Sequence, residues 1–248
     1  MNASAPKTFR ARLRALRLPL ALRARLRDVL EKFVDLHATK SYSQEGEDLV
    51  LHRIFAHRPA GYYVDVGAHH PRRFSNTYFF YKRGWHGINI EPRPDAICAF
   101  RTARNRDRNL QIGVADRAAT LTYYWFDEPA LNTFDAELAL SRVANTPYKV
   151  LREIPIPVER LDRILEQHLP PGQVIDFLSI DVEGFDLAVL RSNDWDRFRP
   201  RCVLVEALGN SLEENMRGEV VAFLRERGYQ LFGKTFNTLI FRDKSTTL

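Results

Sequence analysis

From residue 41 onward, short runs rich in β-branched and aromatic residues alternate with segments whose apolar residues have helical spacing. This alternation is typical of a mostly parallel sheet with helices packed on its faces. The last two β-rich runs, residues 229–232 and 236–241, are separated by a short turn and predict a terminal hairpin. The sequence therefore predicts an α/β, Rossmann-like fold: a seven-stranded, mostly parallel sheet with one antiparallel strand.

The same periodicity predicts the individual elements. Residues 127–147 are polar and weakly patterned, so we predict an insertion beside a binding site. Pro155 and Pro157 predict an extended segment at a sheet edge. Strands are predicted at 61–66, 86–91, 110–115, 120–126, 174–180 and 202–206, and helices at 43–57, 75–83, 94–103, 158–168, 185–191 and 212–227.

Positive charge is concentrated at the N-terminus. Residues 1–40 contain ten Lys and Arg against three acidic residues, a net charge of +7 in a chain whose total is +6. Leucines recur through residues 13–30 and form an apolar stripe on a helix that Pro19 would bend. We predict a basic amphipathic helical arm over 1–40 and a second domain over 41–248. Three roles stay open for the arm: peripheral contact with anionic lipid, docking on its own domain or a second subunit, and organellar targeting.

The distribution of charge also narrows the classes of partner and location. Residues 41–248 sum to −1, so we expect no nucleic-acid partner. No apolar run approaches the ~20 residues that span a bilayer, and none has the form of a secretory signal. Cys98 and Cys202 are far apart in the sequence, which fits a reducing compartment. We expect a cytoplasmic protein, with peripheral membrane contact as one role of the arm.

An acidic residue stands at or just after the end of five predicted strands. In an open α/β sheet, ligands bind outside the carboxyl ends of the strands, where such side chains converge. We therefore expect a ligand cleft at that edge of the sheet. The five residues are Asp65, Glu91, Asp116, Asp181 and Glu206.

The first strand exit has the features of a nucleoside-binding turn. Gly67 and Ala68 allow close approach of a ligand, and Asp65 can bind polar hydrogens. Glu91, 24 residues beyond Gly67, can accept hydrogen bonds from a ribose. The turn has a single glycine, whereas a dinucleotide normally requires three. A nicotinamide-dependent Rossmann oxidoreductase is thus the less favoured enzyme alternative, and a non-catalytic, membrane-associated binding module is a second alternative.

The chain carries four short motifs: SQEGED at 43–48, YVDVGAHHP at 63–71, SNT at 75–77 and FLSIDVEG at 177–184. Together they resemble the FkbM family of methyltransferases, over about residues 41–243. The resemblance implies a class I methyltransferase fold, S-adenosylmethionine as methyl donor, and methylation of a hydroxyl on a sugar, glycan or natural product. By position it also implies cofactor-binding residues: Asp65, Gly67 and Ala68 in the cofactor loop, Glu91 at the ribose and Asp116 near the adenine. We further expect His69 and Asp181 to contact the cofactor.

Methylation of a hydroxyl requires a group that removes its proton. Asp181 and Glu183 follow the predicted strand over 174–180 and are the first candidates, although either could instead cap the next helix. His69 is a further candidate for the base, because the pKa of histidine is near neutral.

Two further expectations concern the acceptor side of the cleft. Asp181 and Glu206 end neighbouring strands, so they could hold a Mg²⁺ ion that lowers the pKa of the acceptor. Four polar residues near the cleft could orient a small-molecule or glycan acceptor. These are Arg72, Arg73, Asn76 and Asn132.

Overall fold

The computed structural model describes residues 19–22, 25, 29, 38–207 and 211–246. The chain divides into two units, Met1–Lys40 and Ser41–Leu248. Most of the predicted arm lies outside the described residues. Within the described residues, no helix is long and apolar enough to cross a membrane.

A seven-stranded sheet forms the centre of the second unit. Its neighbouring strands are parallel, except that one strand is antiparallel to both of its neighbours. This confirms the predicted sheet. In spatial order the strands are β3 (Arg108–Leu110), β2 (His86–Ile90), β1 (Tyr62–Val66), β7 (Phe177–Ile180), β8 (Cys202–Glu206), the antiparallel β10 (Thr238–Asp243), and β9 (Tyr229–Lys234).

Both faces of this sheet are buried, which explains the nearly continuous apolar sequence of its central strands. Successive side chains of a strand point to opposite faces. In β1, Tyr62, Val64 and Val66 pack into one apolar cluster, and Tyr63 packs into a second one with Phe177. The strands that follow β1 in the chain, β2 and β3, lie on one side of it, and β7 and β8 lie on the other. The order of strands therefore reverses at β1, and a crevice forms at this switch point.

A second sheet has three strands: β4 (Gly113–Val114), β6 (Val150–Glu159) and β5 (Ala119–Phe126), in that spatial order. The prediction of one strand over 110–115 is wrong, because the chain leaves the main sheet after Leu110 and pairs again at Gly113. A Cβ on Gly113 would lie 2.7 Å from the Phe134 ring, so close packing requires a glycine there. Pro155 and Pro157 lie in β6. The neighbouring strand β4 pairs with Val158 and Glu159, so at the two prolines this side of β6 forms no ladder hydrogen bonds with β4.

Helices cover the sheets and are in part shorter than predicted. The first begins at Glu47, because Gly46 before it has a φ of 90°. The predicted helix over 212–227 is two helices, and the insertion over 127–147 contains a 3₁₀ turn and a helix. The helices are α1 (Glu47–Ile54), α2 (Tyr78–Tyr81), α3 (Pro94–Ala103), α4 (Ala136–Asn145), α5 (Leu161–His168), α6 (Asp186–Arg191), α7 (Leu212–Asn215) and α8 (Glu219–Glu226), with the 3₁₀ turn at Pro129–Leu131.

A fully buried arginine, Arg104, follows α3 and connects several of these elements. Its Nε donates to Asp107 Oδ2 at 2.9 Å, and Nη2 donates to the Tyr63 hydroxyl at 2.8 Å and to Thr77 Oγ1 at 3.0 Å. Its Nη1 donates to the Pro71 carbonyl at 3.1 Å. The guanidinium therefore joins β1 to the loop that follows it, and its charge is compensated by the buried Asp107 carboxylate.

We expect Asp107→Asn to destabilise the fold by about 3–5 kcal/mol, since the Arg104 charge would stay buried without its partner. Asp95→Asn is the matched control, because its carboxylate is half exposed in its pair with Arg93 and should contribute less than about 1 kcal/mol. Urea denaturation of both variants measures the difference. Equal losses of unfolding free energy would contradict the role given to Arg104.

Candidate active site

A cleft of about 240 Å³ lies at the carboxyl ends of β1, β2, β7 and β8. This volume is close to the lower end of the usual range for small-molecule sites, roughly 300–1,000 Å³. Four of the five strand-end acids line the cleft together: Asp65, Glu91, Asp181 and Glu206.

The fifth acid, Asp116, lies outside the cleft. It is exposed after β4, and its carbonyl accepts a hydrogen bond from Arg160 Nη1 at 2.9 Å. The physical reason is that β4, which Asp116 follows, belongs to the second sheet. Asp116 therefore does not lie at the carboxyl edge of the main sheet. Ile112, Gly113 and Val114 line the cleft instead.

Gly67 is fixed by its neighbours in the fold. Its φ is +77°, and a Cβ there would lie 1.7 Å from the Asp181 carbonyl oxygen. The N–H groups of Gly67 and Ala68 both donate to the Ile90 carbonyl, at 3.0 and 3.1 Å. The turn thus brings the ends of β1, β2 and β7 into direct contact, and its first two N–H groups are already used.

Glu91 is buried and oriented by the backbone. It accepts hydrogen bonds from the N–H of His69 at 2.8 Å and from the N–H of Arg93 at 3.0 Å, one on each carboxylate oxygen. Burial raises the pKa of Glu91 to about 7. Each oxygen keeps a free lone pair, so the carboxylate can accept further hydrogen bonds from a ligand in the cleft.

The two histidines after this turn differ in their surroundings. His69 lines the cleft, and burial together with nearby Arg93 and Arg73 lowers its pKa to about 4. It is therefore neutral and only weakly basic at physiological pH. His70 is held locally, because its Nδ1 accepts hydrogen bonds from the backbone N–H groups of Arg72 and Arg73 at 3.1 and 2.9 Å.

Backbone strain is concentrated in the cleft. Among the described residues, His69, Phe74 and Glu183 are the non-glycine residues with positive φ, at 53°, 53° and 52°. All three line the cleft. Such conformations cost of order 1–3 kcal/mol each and cluster at functional sites, so they mark the cleft as the functional region of the fold.

Asp65 lies in β1 and is buried beside the cleft. It accepts a hydrogen bond from Thr77 Oγ1 at 2.8 Å, and burial raises its pKa to about 6. Nearby, Asn76 Nδ2 donates to Ser179 Oγ at 3.0 Å. Asn76, Ser179 and Gln44 also line the cleft, whereas Ser179 and Gln44 were not among the predicted site residues.

Three carboxylates form a cluster at the other end of the cleft. Asp181, Glu183 and Glu206 each offer one oxygen, and these oxygens lie within 4.8 Å of one another. Asp181 is open to the cleft, whereas Glu183 and Glu206 are half-buried. Loss of solvation within the cleft and mutual repulsion raise the pKa of Asp181 and of Glu206, and loss of solvation raises the pKa of Glu183. None of the three caps α6, whose N-cap is Phe185 and which has no side-chain capping hydrogen bond. The N–H groups of Val182 and Gly184, which precede the helix, donate to Asp186.

Arg142 of α4 is a site residue that the sequence reasoning missed. Its Nη1 donates to the Leu131 carbonyl at 2.7 Å, and its Nη2 forms an ion pair with Glu183. Thr133 Oγ1 donates to the Glu183 carbonyl at 2.7 Å. The insertion is therefore attached to the acid cluster. Among the described residues that line the cleft, Arg142 is the one Lys or Arg; Arg72 and Arg73 lie outside its lining.

These features are typical of an enzyme of the Rossmann-like α/β class: a mostly parallel sheet with a crevice at its switch point, a buried strand-end acid and a carboxylate cluster. Residues 65–231, more than half of the chain, match the family model described as the methyltransferase FkbM domain. The chain belongs to the FkbM methyltransferase family. It is therefore a methyltransferase. No curated protein matches the chain in a sequence comparison.

We expect Gly67→Ala to destabilise the fold strongly, because the added Cβ would overlap the Asp181 carbonyl. Gly172→Ala is the matched control: its φ is +73°, and no atom lies within 4 Å of the added Cβ. It should cost only the left-handed backbone penalty, about 1–2 kcal/mol. Thermal unfolding compares the two variants, and a Gly67→Ala protein as stable as Gly172→Ala would contradict this reading of the turn.

Proposed function

We propose that the protein transfers a methyl group from S-adenosylmethionine to a hydroxyl of a sugar, glycan or natural product. The observation that carries the proposal is the pairing, in one cleft, of an oriented acid at the end of β2 with a carboxylate cluster at the ends of β7 and β8. The first suits the ribose of a nucleoside donor, and the second suits removal of a proton from an acceptor. The family membership supports methyl transfer itself.

The cofactor would lie along the β1 turn. Glu91 would accept hydrogen bonds from its ribose, and Asp65, Gly67, Ala68 and His69 would contact the rest of the molecule. When bound, S-adenosylmethionine supplies an activated methyl group on a sulfonium. The residues present fit this group better than a dinucleotide. The N–H groups of residues 67–69 are already bonded to Ile90 and Glu91, so few remain to bind a pyrophosphate.

Asp181 is the strongest candidate for the base. Its carboxylate makes no hydrogen bond or ion pair with the described residues, whereas Glu183 is held by Arg142. Partial loss of solvation at the cleft wall and repulsion from neighbouring carboxylates raise the pKa of Asp181, which makes it a better proton acceptor than an ordinary aspartate. His69 is a weaker base, since its pKa is lowered to about 4. Asp181 would accept the hydroxyl proton as the oxygen takes the methyl group.

The carboxylate cluster also fits a divalent cation. Two oxygens on opposite sides of Ca²⁺ are about 4.6–5.2 Å apart, and on Mg²⁺ about 4.0–4.2 Å. The oxygens of Asp181, Glu183 and Glu206 lie within 4.8 Å of one another, so Mg²⁺ would require them to move closer together. A bound Mg²⁺ would lower the pKa of an acceptor hydroxyl in its coordination sphere.

We expect Asp181→Asn to lower turnover by about 10²–10⁴-fold, because it removes the proton acceptor and one oxygen of the carboxylate cluster. The affinity for S-adenosylhomocysteine should stay unchanged, because the proposed ribose contact at Glu91 is intact. Asp116→Asn makes the same change at a strand-end acid outside the cleft and should be fully active. Release of S-adenosylhomocysteine is measured with sugars and glycans as acceptors, and mass spectrometry identifies the methyl ether. Wild-type protein that binds S-adenosylmethionine but methylates no hydroxyl would contradict the proposed reaction. Full activity of Asp181→Asn would exclude Asp181 as the base.

For the metal, we expect EDTA to lower turnover and added Mg²⁺ to restore it, with no change in S-adenosylhomocysteine binding. Glu206→Gln should weaken the response to Mg²⁺, because it removes one of the three oxygen ligands. Equal turnover in EDTA and in Mg²⁺ would exclude a requirement for the metal and leave the methyl-transfer proposal intact.

A further inference from the structure

The small sheet contributes a tyrosine to the cleft. In β5, Tyr123 is buried and lines the cleft, while the next residue, Tyr124, is half-buried and does not. The Tyr123 ring packs against Phe134, with ring centroids 4.8 Å apart. The ring is thus held in place by the insertion, and its hydroxyl is directed by packing that is independent of any ligand.

Asn132 lies beside Tyr123 with one end of its amide fixed. Its Oδ1 accepts a hydrogen bond from the Phe126 N–H at 2.7 Å. The other end, Nδ2, is buried and makes no hydrogen bond of normal geometry with the described residues, although it faces the Tyr123 hydroxyl. A buried donor without an acceptor is unfavourable, and Nδ2 carries two N–H groups, so a ligand oxygen at this place would supply an acceptor.

Tyr123 lies at the end of the cleft that holds Glu91. Arg93, two residues after Glu91, has its guanidinium carbon 5.2 Å from the centroid of the Trp125 ring, two residues after Tyr123 in β5. Glu91 and Arg93 are the charged groups that act on the Tyr123 hydroxyl most strongly. Burial and the Glu91 carboxylate raise the pKa of Tyr123 well above its ordinary value, so the hydroxyl keeps its proton and can donate a hydrogen bond.

The donor and acceptor groups are complementary to a ribose. When Glu91 is ionised, its carboxylate can only accept hydrogen bonds. A ribose hydroxyl bound to it therefore donates the hydrogen bond, and the lone pairs of the hydroxyl oxygen stay available. Those lone pairs require donors. Tyr123 and Asn132 provide an O–H and an N–H at the same end of the cleft.

We propose that the Tyr123 hydroxyl and the Asn132 amide bind the cofactor ribose together with Glu91, so that the small sheet completes the cofactor site. The inference rests on S-adenosylmethionine as the methyl donor. It moves Asn132 from the acceptor side, where the sequence placed it, to the cofactor side. It also makes a ribose with free hydroxyls a requirement for tight binding.

Calorimetric titration with S-adenosylhomocysteine tests the proposal. Tyr123→Phe keeps the ring on Phe134 and removes only the hydroxyl, and we expect about five- to tenfold weaker binding. Tyr124→Phe is the matched control and should bind as the wild type does. Asn132→Asp keeps the acceptor for the Phe126 N–H and replaces the donor by an acceptor, so we expect a loss of at least about tenfold.

The 2′-deoxy and 3′-deoxy analogues of S-adenosylhomocysteine separate a ribose contact from a general loss of affinity. In the wild type, removing the ribose hydroxyl that Tyr123 contacts should weaken binding. In Tyr123→Phe, the loss of affinity from the parent compound to that analogue should be smaller, for at least one of the two analogues. Tyr123→Phe and Asn132→Asp proteins that both bind the parent compound like the wild type would overturn this inference alone. Wild-type protein that binds no S-adenosylhomocysteine would overturn the proposed function, and this inference with it.

Discussion

The buried charge of Arg104 is the constraint on which the arrangement of the cleft depends. A guanidinium without solvent must have its donors satisfied, and here the acceptors come from β1, from the loop after it and from Asp107. Asp107 in turn accepts from the Gly87 N–H and from Asn89 Nδ2 of β2. Through Thr77 the same network reaches Asp65. The loop position, the pairing of the first two strands and the orientation of a cleft carboxylate are therefore coupled.

The main sheet was predictable because its physics is local. Strands buried on both faces must be apolar nearly throughout, and the alternation with helical segments gives their number and direction. The strand-end acids were predictable for the same reason, since parallel strands end at one edge. Asp116 failed this rule because the packing of Gly113 against Phe134 diverts the chain into another sheet. That contact joins residues 21 positions apart and leaves no periodic signal.

Two residues that line the cleft were missed for a related reason. Arg142 stands in a helix that also carries Glu137, Ser141 and Asn145, and its partner Glu183 is 41 positions away. A lone arginine in such a helix is a weak signal without the fold. Tyr123 falls in the strand predicted over 120–126, but only the second sheet shows which of the two adjacent tyrosines faces the cleft. The side chains that complete a site from an added element depend on tertiary packing, which one sequence does not display.

The turn after β1 is held almost entirely by backbone groups. Ile90 receives the N–H groups of Gly67 and Ala68, and Glu91 receives that of His69. The side chains at positions 70 and 71 are therefore not needed to hold the turn, whereas the residue at position 69 must accept a φ of 53°. Position 67 accepts no side chain at all, because the space for one is filled by the Asp181 carbonyl. Substitutions that reshape the cleft without unfolding the turn are thus available after residue 67, but not at it.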